Sequence, residues 1–141
     1  MKKILIVDDD ADILELLCLE FEDEPGFSVD SATDPGNALE LARNSGYDAI
    51  ITDWRMPVMN GGEFIRALRN QGCISYIIIY SGMEPDKEIQ KTLETGADQF
   101  ILRRGNPDRE FGELKENIRK VPPRIHPAAG KYPVPRSSPS K

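Results

Sequence analysis

Two short apolar runs that each end in aspartate constrain this chain more than any other feature. Residues 4–7 run into Asp8 and Asp9, and residues 49–52 run into Asp53. Runs of this length, rich in β-branched residues, are typical of parallel strands buried on both faces. The carboxyl ends of such strands lie at one edge of an open α/β sheet, where ligands bind. We therefore expect the three carboxylates to meet at that edge.

Carboxylates that meet in one place define the chemistry of the site. They repel one another unless a cation lies among them or the pKa of some of them rises. An all-oxygen ligand set suits a hard divalent ion such as Mg²⁺. A carboxylate can also act as a nucleophile towards phosphorus, while the metal neutralises charge on the transferred group. We therefore expect Asp53 to accept a phosphoryl group and Asp8 and Asp9 to hold Mg²⁺.

The rest of the chain alternates short apolar runs with segments of helical periodicity. Strands are predicted at residues 3–7, 27–32, 48–52, 75–80 and 99–102, and a helical pattern follows each. The predicted helix boundaries are Asp10 or Asp12 as a first cap, Pro35 and Pro107 as helix starts, Gly61-Gly62 before the third helix, and Pro85 and Gly96 at the two ends of the fourth. Five strand–helix alternations predict a doubly wound parallel sheet with helices on both faces.

Several motifs in the right order resemble the receiver domain of bacterial two-component response regulators. The resemblance spans about residues 2 to 121. The matching motifs are Asp8-Asp9, Asp53, Met56-Pro57, Met59-Asn60-Gly61, Ser81-Gly82 and Gly96-Ala97-Asp98.

The resemblance implies the flavodoxin-like strand order 2-1-3-4-5, which sets the first and third strands side by side. It implies that Asp53 is the phosphoacceptor and that the backbone carbonyl of Arg55 joins Asp8, Asp9 and Asp53 as a metal ligand. It also implies that Ser81 is the switch hydroxyl. Phe100 is the candidate for the second switch element, although its periodicity is also that of a core residue.

One position departs from the pattern of the family. A lysine, usually followed by proline, ends the fifth strand of these domains, whereas this chain has Arg103 and Arg104. Arginine can pair with a phosphoryl oxygen, but its planar fork is longer than a lysine side chain and less compact. Without the proline, the loop also loses the option of a cis bond.

The function implied is that of a signalling receiver. A histidine kinase or phosphotransfer protein would phosphorylate Asp53, and the protein-binding surface would then switch towards a downstream protein target. Dimerisation through the fourth helix, fifth strand and fifth helix is a further possibility. The domain would catalyse only its own Mg²⁺-dependent phosphorylation and dephosphorylation. Arg55 and Met83, at the rim of the inferred pocket, could control water attack and hence the lifetime of the signal.

Two other function classes stay open at this point. A degenerate receiver would act as a phosphorylation-independent interaction module, with Arg103 marking the loss of the switch. A metal-dependent phosphatase on a similar fold would also begin from an aspartate nucleophile. The phosphatase is disfavoured because the short chain has no cap domain and no lysine near the fifth strand. Trp54, beside the acceptor, is equally compatible with packing and with function.

Composition narrows the functional classes further. The 141 residues suffice for one domain, and a net charge of −6 with a pI near 4.9 argues against direct nucleic-acid binding. His126 is the single histidine, which excludes a histidine-based triad. Cys18 and Cys73 lack metal spacing and are interpreted as reduced structural thiols. The apolar run after Met1 is too short for a signal peptide or a membrane span, so we expect a cytoplasmic protein.

Residues 122–141 differ in composition from the receiver domain predicted at residues 1–121. They hold six of the eleven prolines and four basic residues but no acid, which leaves a net charge of −10 on residues 1–121. Proline at this density predicts an extended tail or linker without a second core. A basic docking arm is the alternative interpretation.

Overall fold

The computed structural model describes residues 1–122, which form one five-stranded parallel sheet with five helices. The elements are β1 (Lys2–Val7), α1 (Ala11–Glu22), β2 (Phe27–Ala32), α2 (Pro35–Asn44), β3 (Ala49–Thr52), α3 (Gly61–Asn70), β4 (Tyr76–Ser81), α4 (Lys87–Thr95), β5 (Gln99–Leu102) and α5 (Pro107–Arg119). The strand order is β2-β1-β3-β4-β5. The predicted doubly wound, flavodoxin-like α/β class is confirmed.

The register of the strands brings their carboxyl ends to the same edge of the sheet. Val7 on β1 pairs with Thr52 on β3, and Thr52 pairs with Ile79 on β4. Further along, Ser81 pairs with Leu102 on β5. The residues that follow β1, β3, β4 and β5 therefore project from one edge, where an open α/β sheet binds its ligands.

Two apolar layers hold the helices against the sheet. Leu5, Ile50 and Ile77 face α2, α3 and α4, and they belong to one buried cluster. The alternate residues Ile51 and Ile78 belong to a second cluster, covered by α1 and α5. The central strands are thus buried on both faces, which explains why their sequences are continuous apolar runs.

Each helix begins at a polar residue whose side chain accepts a backbone N–H of the first turn. The five N-caps are Asp10, Asp34, Asn60, Asp86 and Asn106. Such caps satisfy donors that have no partner inside the helix. The first of them is one of the two residues predicted for that role.

The fourth helix begins later than the sequence predicted. Pro85 was expected in its first turn, but the helix begins at Lys87, and Pro85 precedes the cap. The reason is that the Asp86 carboxylate accepts the N–H of Ile89 at 2.9 Å and so fixes the start of the helix. The predicted end at Gly96 agrees with the structure, where Gly96 is the C-cap.

No helix within residues 1–122 is long and apolar enough to span a membrane. The predicted proline-rich tail lies outside the described residues except for Pro122, and it stays a prediction.

Candidate functional site

The carboxyl ends of β1 and β3 bring three aspartates together. Asp8 and Asp9 follow β1, Asp53 follows β3, and one carboxylate oxygen of each lies within 4.8 Å of the others. Asp8 and Asp53 are only 2% and 9% exposed, whereas Asp9 is exposed to solvent. The structure therefore joins the three acids that the sequence analysis expected to meet.

Burial dominates the electrostatics of Asp8. Loss of water raises the pKa of this carboxyl to about 6, and the nearby negative charge of Asp53 contributes to the rise. The N–H of Asp10 donates to Asp8 Oδ1 at 2.9 Å and opposes it, as does the positive charge of Arg103. Two buried carboxylates thus lie at short range, where ionisation of both is unfavourable. A cation between them would relieve this repulsion.

Asp53 keeps one carboxylate oxygen bonded to its own loop. Its Oδ1 accepts the Trp54 N–H at 2.7 Å, so that Oδ2 is the oxygen left for other partners. Burial raises the pKa of Asp53, while the Trp54 amide, the Arg103 charge and the Ser81 hydroxyl each oppose the rise. The carboxylate is therefore oriented by the backbone and poorly solvated, which favours reaction with an electrophile or binding to a cation.

Trp54 packs beneath the start of α3. Its side chain is almost fully buried, and a Cβ placed on Gly61 or Gly62 would come within about 3 Å of its ring. The Gly61 N–H also donates to the Trp54 carbonyl at 2.7 Å. The two glycines thus allow the helix to approach the loop that carries Asp53, and packing accounts for Trp54.

The end of β4 supplies a buried hydroxyl on the other side of the acids. Ser81 is buried, and its Oγ accepts the N–H of Met83 at 3.2 Å. Met83 in turn contacts Arg55, whose Nε lies 3.3 Å from its sulfur. Arg55 and Met83 line an open cavity of about 430 Å³ beside Asp9. These two residues therefore line the opening by which solvent reaches the acids.

Arg103, at the end of β5, points its guanidinium towards the acids. Its Nη1 lies 3.6 Å from Asp8 Oδ2, and the side chain is 24% exposed. Within residues 1–122 this buried Nη1 has no hydrogen-bond partner. A buried donor without an acceptor is costly, and a ligand oxygen would satisfy it.

Two residues that sequence reasoning missed contact the Arg103 region. The Tyr80 ring lies beneath the guanidinium, with Cζ 5.4 Å from the ring centroid. Tyr80 also donates its hydroxyl to Glu110, at 2.7 Å from Oε1. The signal in the sequence was an aromatic residue between the isoleucine run and Ser81, and nothing linked it to an acid 30 residues away.

Phe100 lies on β5 and belongs to the cluster on the opposite face of the sheet from Tyr80. It is half-buried and packs against the cluster beneath α2, α3 and α4. The predicted core character agrees with this position.

The donor set of the acid cluster has the chemistry that Mg²⁺ requires. The cluster offers carboxylate oxygens and neither sulfur nor nitrogen, as a hard cation prefers. Exposure of Asp9 leaves one side open to water, several molecules of which Mg²⁺ commonly retains. The three acids therefore fit a divalent cation of this type.

The fold and the acid cluster define an α/β domain with a carboxylate site at the carboxyl edge of a parallel sheet. Comparison with protein families narrows this class, because the response regulator receiver domain matches residues 4–115. The chain belongs to that family, as the resemblance of its motifs suggested.

Relatives of known sequence include a transcriptional regulatory protein and a response regulator. The phosphate regulon transcriptional regulatory protein PhoB of Escherichia coli is 28% identical over 86% of this chain and 54% of its own length. The response regulator ArlR of Staphylococcus aureus is 30% identical over 86% of this chain and 55% of its own length. The chain spans about half the length of the curated relatives it matches.

Solved structures give the same result. The response regulator domain of Thermotoga maritima CheB superposes with a TM-score of 0.77 at 27% identity, covering 86% of this chain and 96% of that domain. The Thermotoga maritima response regulator TrrA, solved in complex with Mg²⁺ and BeF, gives a TM-score of 0.73 at 31% identity, covering 86% and 100%.

Proposed function

We propose that this domain is a phosphorylatable signalling receiver, with Asp53 as the residue that accepts the phosphoryl group. The observation that carries the proposal is the cluster of three carboxylates beside a buried Arg103 Nη1 that has no partner within residues 1–122. The carboxylates can bind a metal ion that in turn binds a phosphoryl group. The unpaired Arg103 Nη1 can donate a hydrogen bond to one of the phosphoryl oxygens. The donor would be a phosphorylated histidine of a kinase or phosphotransfer protein.

The transfer step uses the carboxylate oxygen of Asp53 that does not accept the Trp54 N–H. Its Oδ2 attacks phosphorus, a new O–P bond forms, the P–N bond of the donor histidine breaks, and the electron pair stays on the imidazole nitrogen. The Trp54 N–H holds the other oxygen and thus the orientation of the attacking carboxylate. Asp8, Asp9, Asp53 and the carbonyl of Arg55 would hold Mg²⁺, which when bound would neutralise charge on the transferred group. The domain thereby promotes only its own phosphorylation and dephosphorylation.

The switch uses groups that adjoin the acceptor. A phosphoryl group adds nearly two negative charges and three acceptor oxygens. Ser81 would donate its hydroxyl to one of them, and Arg103 would donate Nη1 to another. Phe100, half-buried below, would follow the movement of Ser81, and α4 and β5 would repack to present a different surface to the downstream target. The surface of α4, β5 and α5 is also where we place a possible homodimer.

Arg55 and Met83 would set the lifetime of the phosphorylated state. Their contact lies over the open side of the site, where water must enter to attack the aspartyl-phosphate. Widening this opening, for example with Met83→Ala, should shorten the lifetime in a dephosphorylation time course. An unchanged lifetime in both Met83→Ala and Arg55→Ala would exclude this role.

The decisive experiment is labelling by a small phosphodonor. The full chain is incubated with acetyl phosphate and Mg²⁺, and its intact mass is measured. We expect the mass of one phosphoryl group to be added to the wild type, none to Asp53→Asn, and the wild-type extent to Asp12→Asn, which removes an exposed acid in the first turn of α1. Full labelling of Asp53→Asn, or of wild type in excess EDTA, would contradict the proposal.

A second candidate function is a degenerate receiver that binds its partner without phosphorylation. The feature in its favour is Arg103, at the position where the resemblance implies a lysine. It predicts that acetyl phosphate, Mg²⁺ and Asp53→Asn all leave partner affinity unchanged. In either case the partner is a protein, since a net charge of −10 on residues 1–121 opposes direct contact with nucleic acid.

A further inference from the structure

Glu110 is a buried carboxylate that fastens the loop after β5 to the neighbouring strand β4. It lies in the first turn of α5 and is 6% exposed. Its Oε1 accepts the Tyr80 hydroxyl at 2.7 Å, while its Oε2 accepts the Arg104 N–H at 2.7 Å and the Asn106 N–H at 3.3 Å. One side chain thus connects the loop that follows Arg103 with a buried ring under the same arginine.

Tyr80 is held on two sides and therefore presents a fixed face. The ring is 2% exposed, its hydroxyl is bonded to Glu110, and it meets Phe111 in an edge-to-face contact with centroids 6.4 Å apart. Burial, followed by the hydrogen bond to Glu110, raises the pKa of Tyr80, so the hydroxyl stays protonated and keeps donating. The Arg103 guanidinium lies over one face of this fixed ring.

Arg103 has three points of support around a long side chain. Its backbone N–H donates to the Ser81 carbonyl at 2.8 Å, its guanidinium lies over Tyr80, and its Nη1 reaches towards Asp8. An arginine free to change rotamer would lose side-chain entropy on being fixed. A guanidinium already stacked on an aromatic face has lost much of that freedom beforehand. Lysine lacks the planar group that stacks in this way.

We propose that Tyr80 and Glu110 are positioning residues that hold the Arg103 guanidinium beside the acid cluster, ready to donate to an incoming phosphoryl oxygen. The inference rests on the proposed role of Asp53 as phosphoacceptor. Glu110 fixes the β5–α5 loop by accepting the N–H groups of Arg104 and Asn106, and the Tyr80 ring supports the guanidinium. The arginine, the tyrosine and the glutamate therefore act as one unit.

A merely structural role for Tyr80 would give a different pattern of kinetic effects. If Tyr80 acts through Arg103, its replacement should slow labelling only while the guanidinium is present. If Tyr80 only fills the core, its replacement should slow labelling by the same factor whether or not Arg103 is present. A double-mutant cycle separates these two cases.

The cycle is measured as the initial rate of Mg²⁺-dependent labelling of the full chain by acetyl phosphate. We expect Tyr80→Leu to lower the rate about three- to tenfold, in line with the strength of a partly desolvated cation–π contact. Tyr80→Phe and Glu110→Gln should give smaller losses, because each keeps the ring but alters its anchor. In an Arg103→Ala background, Tyr80→Leu should have no further effect. Equal losses in both backgrounds would overturn the proposal.

Two matched controls use the same elements. Tyr76→Leu removes a half-buried tyrosine at the start of the same strand, and Glu113→Gln neutralises an exposed acid one turn further along α5. Both should label at the wild-type rate. If Tyr80→Leu does not fold, as judged by its thermal unfolding curve, Tyr80→Phe and Glu110→Gln take its place in the cycle.

Side-chain NMR tests the positioning independently of phosphorylation. The Arg103 Nε–H should give a dispersed, slowly exchanging signal, which is assigned by its absence in Arg103→Lys. In Tyr80→Leu this signal should move to the position of solvated arginines. If Tyr80→Leu does not fold, the signal should weaken in Tyr80→Phe. An unchanged signal would refute the positioning role even where Asp53 is labelled normally. Failure of the wild type to label, with the signal still dependent on Tyr80, would instead refute the proposed function.

Discussion

A partly buried arginine lies at each end of the parallel strands, one at the amino edge of the sheet and one at the carboxyl edge. The two arginines differ in what their guanidinium donors contact. Arg69, at the end of α3, lies at the amino edge. It donates from Nε and Nη2 to the Gly96 carbonyl at 2.9 and 2.7 Å, and from Nη1 to the carbonyls of Cys73 and Ser75 at 3.0 and 2.8 Å. Its Nη2 also lies 3.1 Å from the Asp98 carboxylate. All three guanidinium nitrogens therefore have an acceptor.

Arg103, at the carboxyl edge, has the opposite character. Its Nη1 is buried without an acceptor within residues 1–122, and its nearest acid, Asp8, lies beyond hydrogen-bonding distance at 3.6 Å. The comparison shows how one residue type can serve two purposes. A guanidinium whose nitrogens all have acceptors stabilises the fold. A guanidinium with an unpaired N–H donor beside acids can still donate a hydrogen bond to a ligand.

The largest expected effect is on stability at the amino edge. Arg69→Ala leaves the carbonyls of Gly96, Cys73 and Ser75 without their partner, and we expect a loss of about 2–4 kcal/mol in the free energy of unfolding. Urea denaturation followed by circular dichroism measures it. The control Arg66→Ala, on the exposed face of the same helix, should change stability by less than about 0.5 kcal/mol. Equal losses in the two variants would remove the structural role of Arg69.

The next effect separates the two arginines by function. Arg103→Ala should slow labelling by acetyl phosphate about tenfold, which corresponds to about 1.4 kcal/mol, a reasonable value for one charged hydrogen bond to the transferred group. The same variant should lose less unfolding free energy than Arg69→Ala. Arg69→Ala, assayed at a temperature where it is folded, should label at the wild-type rate. A slow Arg69→Ala together with a normal Arg103→Ala would reverse our assignment.

The carboxyl edge was largely predictable from sequence because its signals are local. An apolar run that ends in Asp8 or in Asp53 predicts both a buried strand and the position of an acid at its carboxyl end. Parallel topology then brings the ends of the strands together without further information. Ser81 directly follows the run at residues 75–80 that predicted β4, whereas its role as a switch hydroxyl came from the resemblance to receiver domains and stays a prediction.

The contacts of the two arginines were not predictable because they depend on tertiary packing. Gly96 lies 27 residues from Arg69, and its carbonyl carries no side-chain signal. The bond between Tyr80 and Glu110 joins residues 30 apart, at positions that read as core and as helix surface. The start of α4 was placed too early for a related reason, because the cap at Asp86 competes with the preference of Pro85 for a first turn.

Magnesium offers a way to sharpen the comparison, since it should act at one edge alone. At ten times its dissociation constant, a ligand that binds only the folded state adds about 1.4 kcal/mol of stability. We expect Mg²⁺ to raise the midpoint of thermal unfolding equally in wild type and Arg69→Ala. The gain should be smaller in Asp9→Asn, which alters an exposed ligand without disturbing the core. A gain in Asp9→Asn as large as in wild type would place Mg²⁺ elsewhere.

The smallest effect concerns the charge on Asp53 itself, measured in EDTA. Burial raises the pKa of Asp53 above its ordinary value, so its ionised form destabilises the fold, and this cost appears as the pH rises through the folded-state pKa. Asp53→Asn keeps an oxygen for the Trp54 N–H but removes the charge, and it should therefore unfold at a higher temperature than wild type at pH 7.5.

The pH dependence of that gain supplies its control. As the pH falls towards the ordinary carboxyl pKa of about 4, wild-type Asp53 becomes protonated and the difference from Asp53→Asn should shrink. At the amino edge, Asp98→Asn should do the reverse at pH 7.5 and lower the midpoint, because the Asp98 carboxylate accepts both the Ile77 N–H and Arg69. If both asparagine variants shifted the midpoint in the same direction, the carboxyl edge would carry no more electrostatic strain than the amino edge, and the contrast between Arg69 and Arg103 would lose its physical basis.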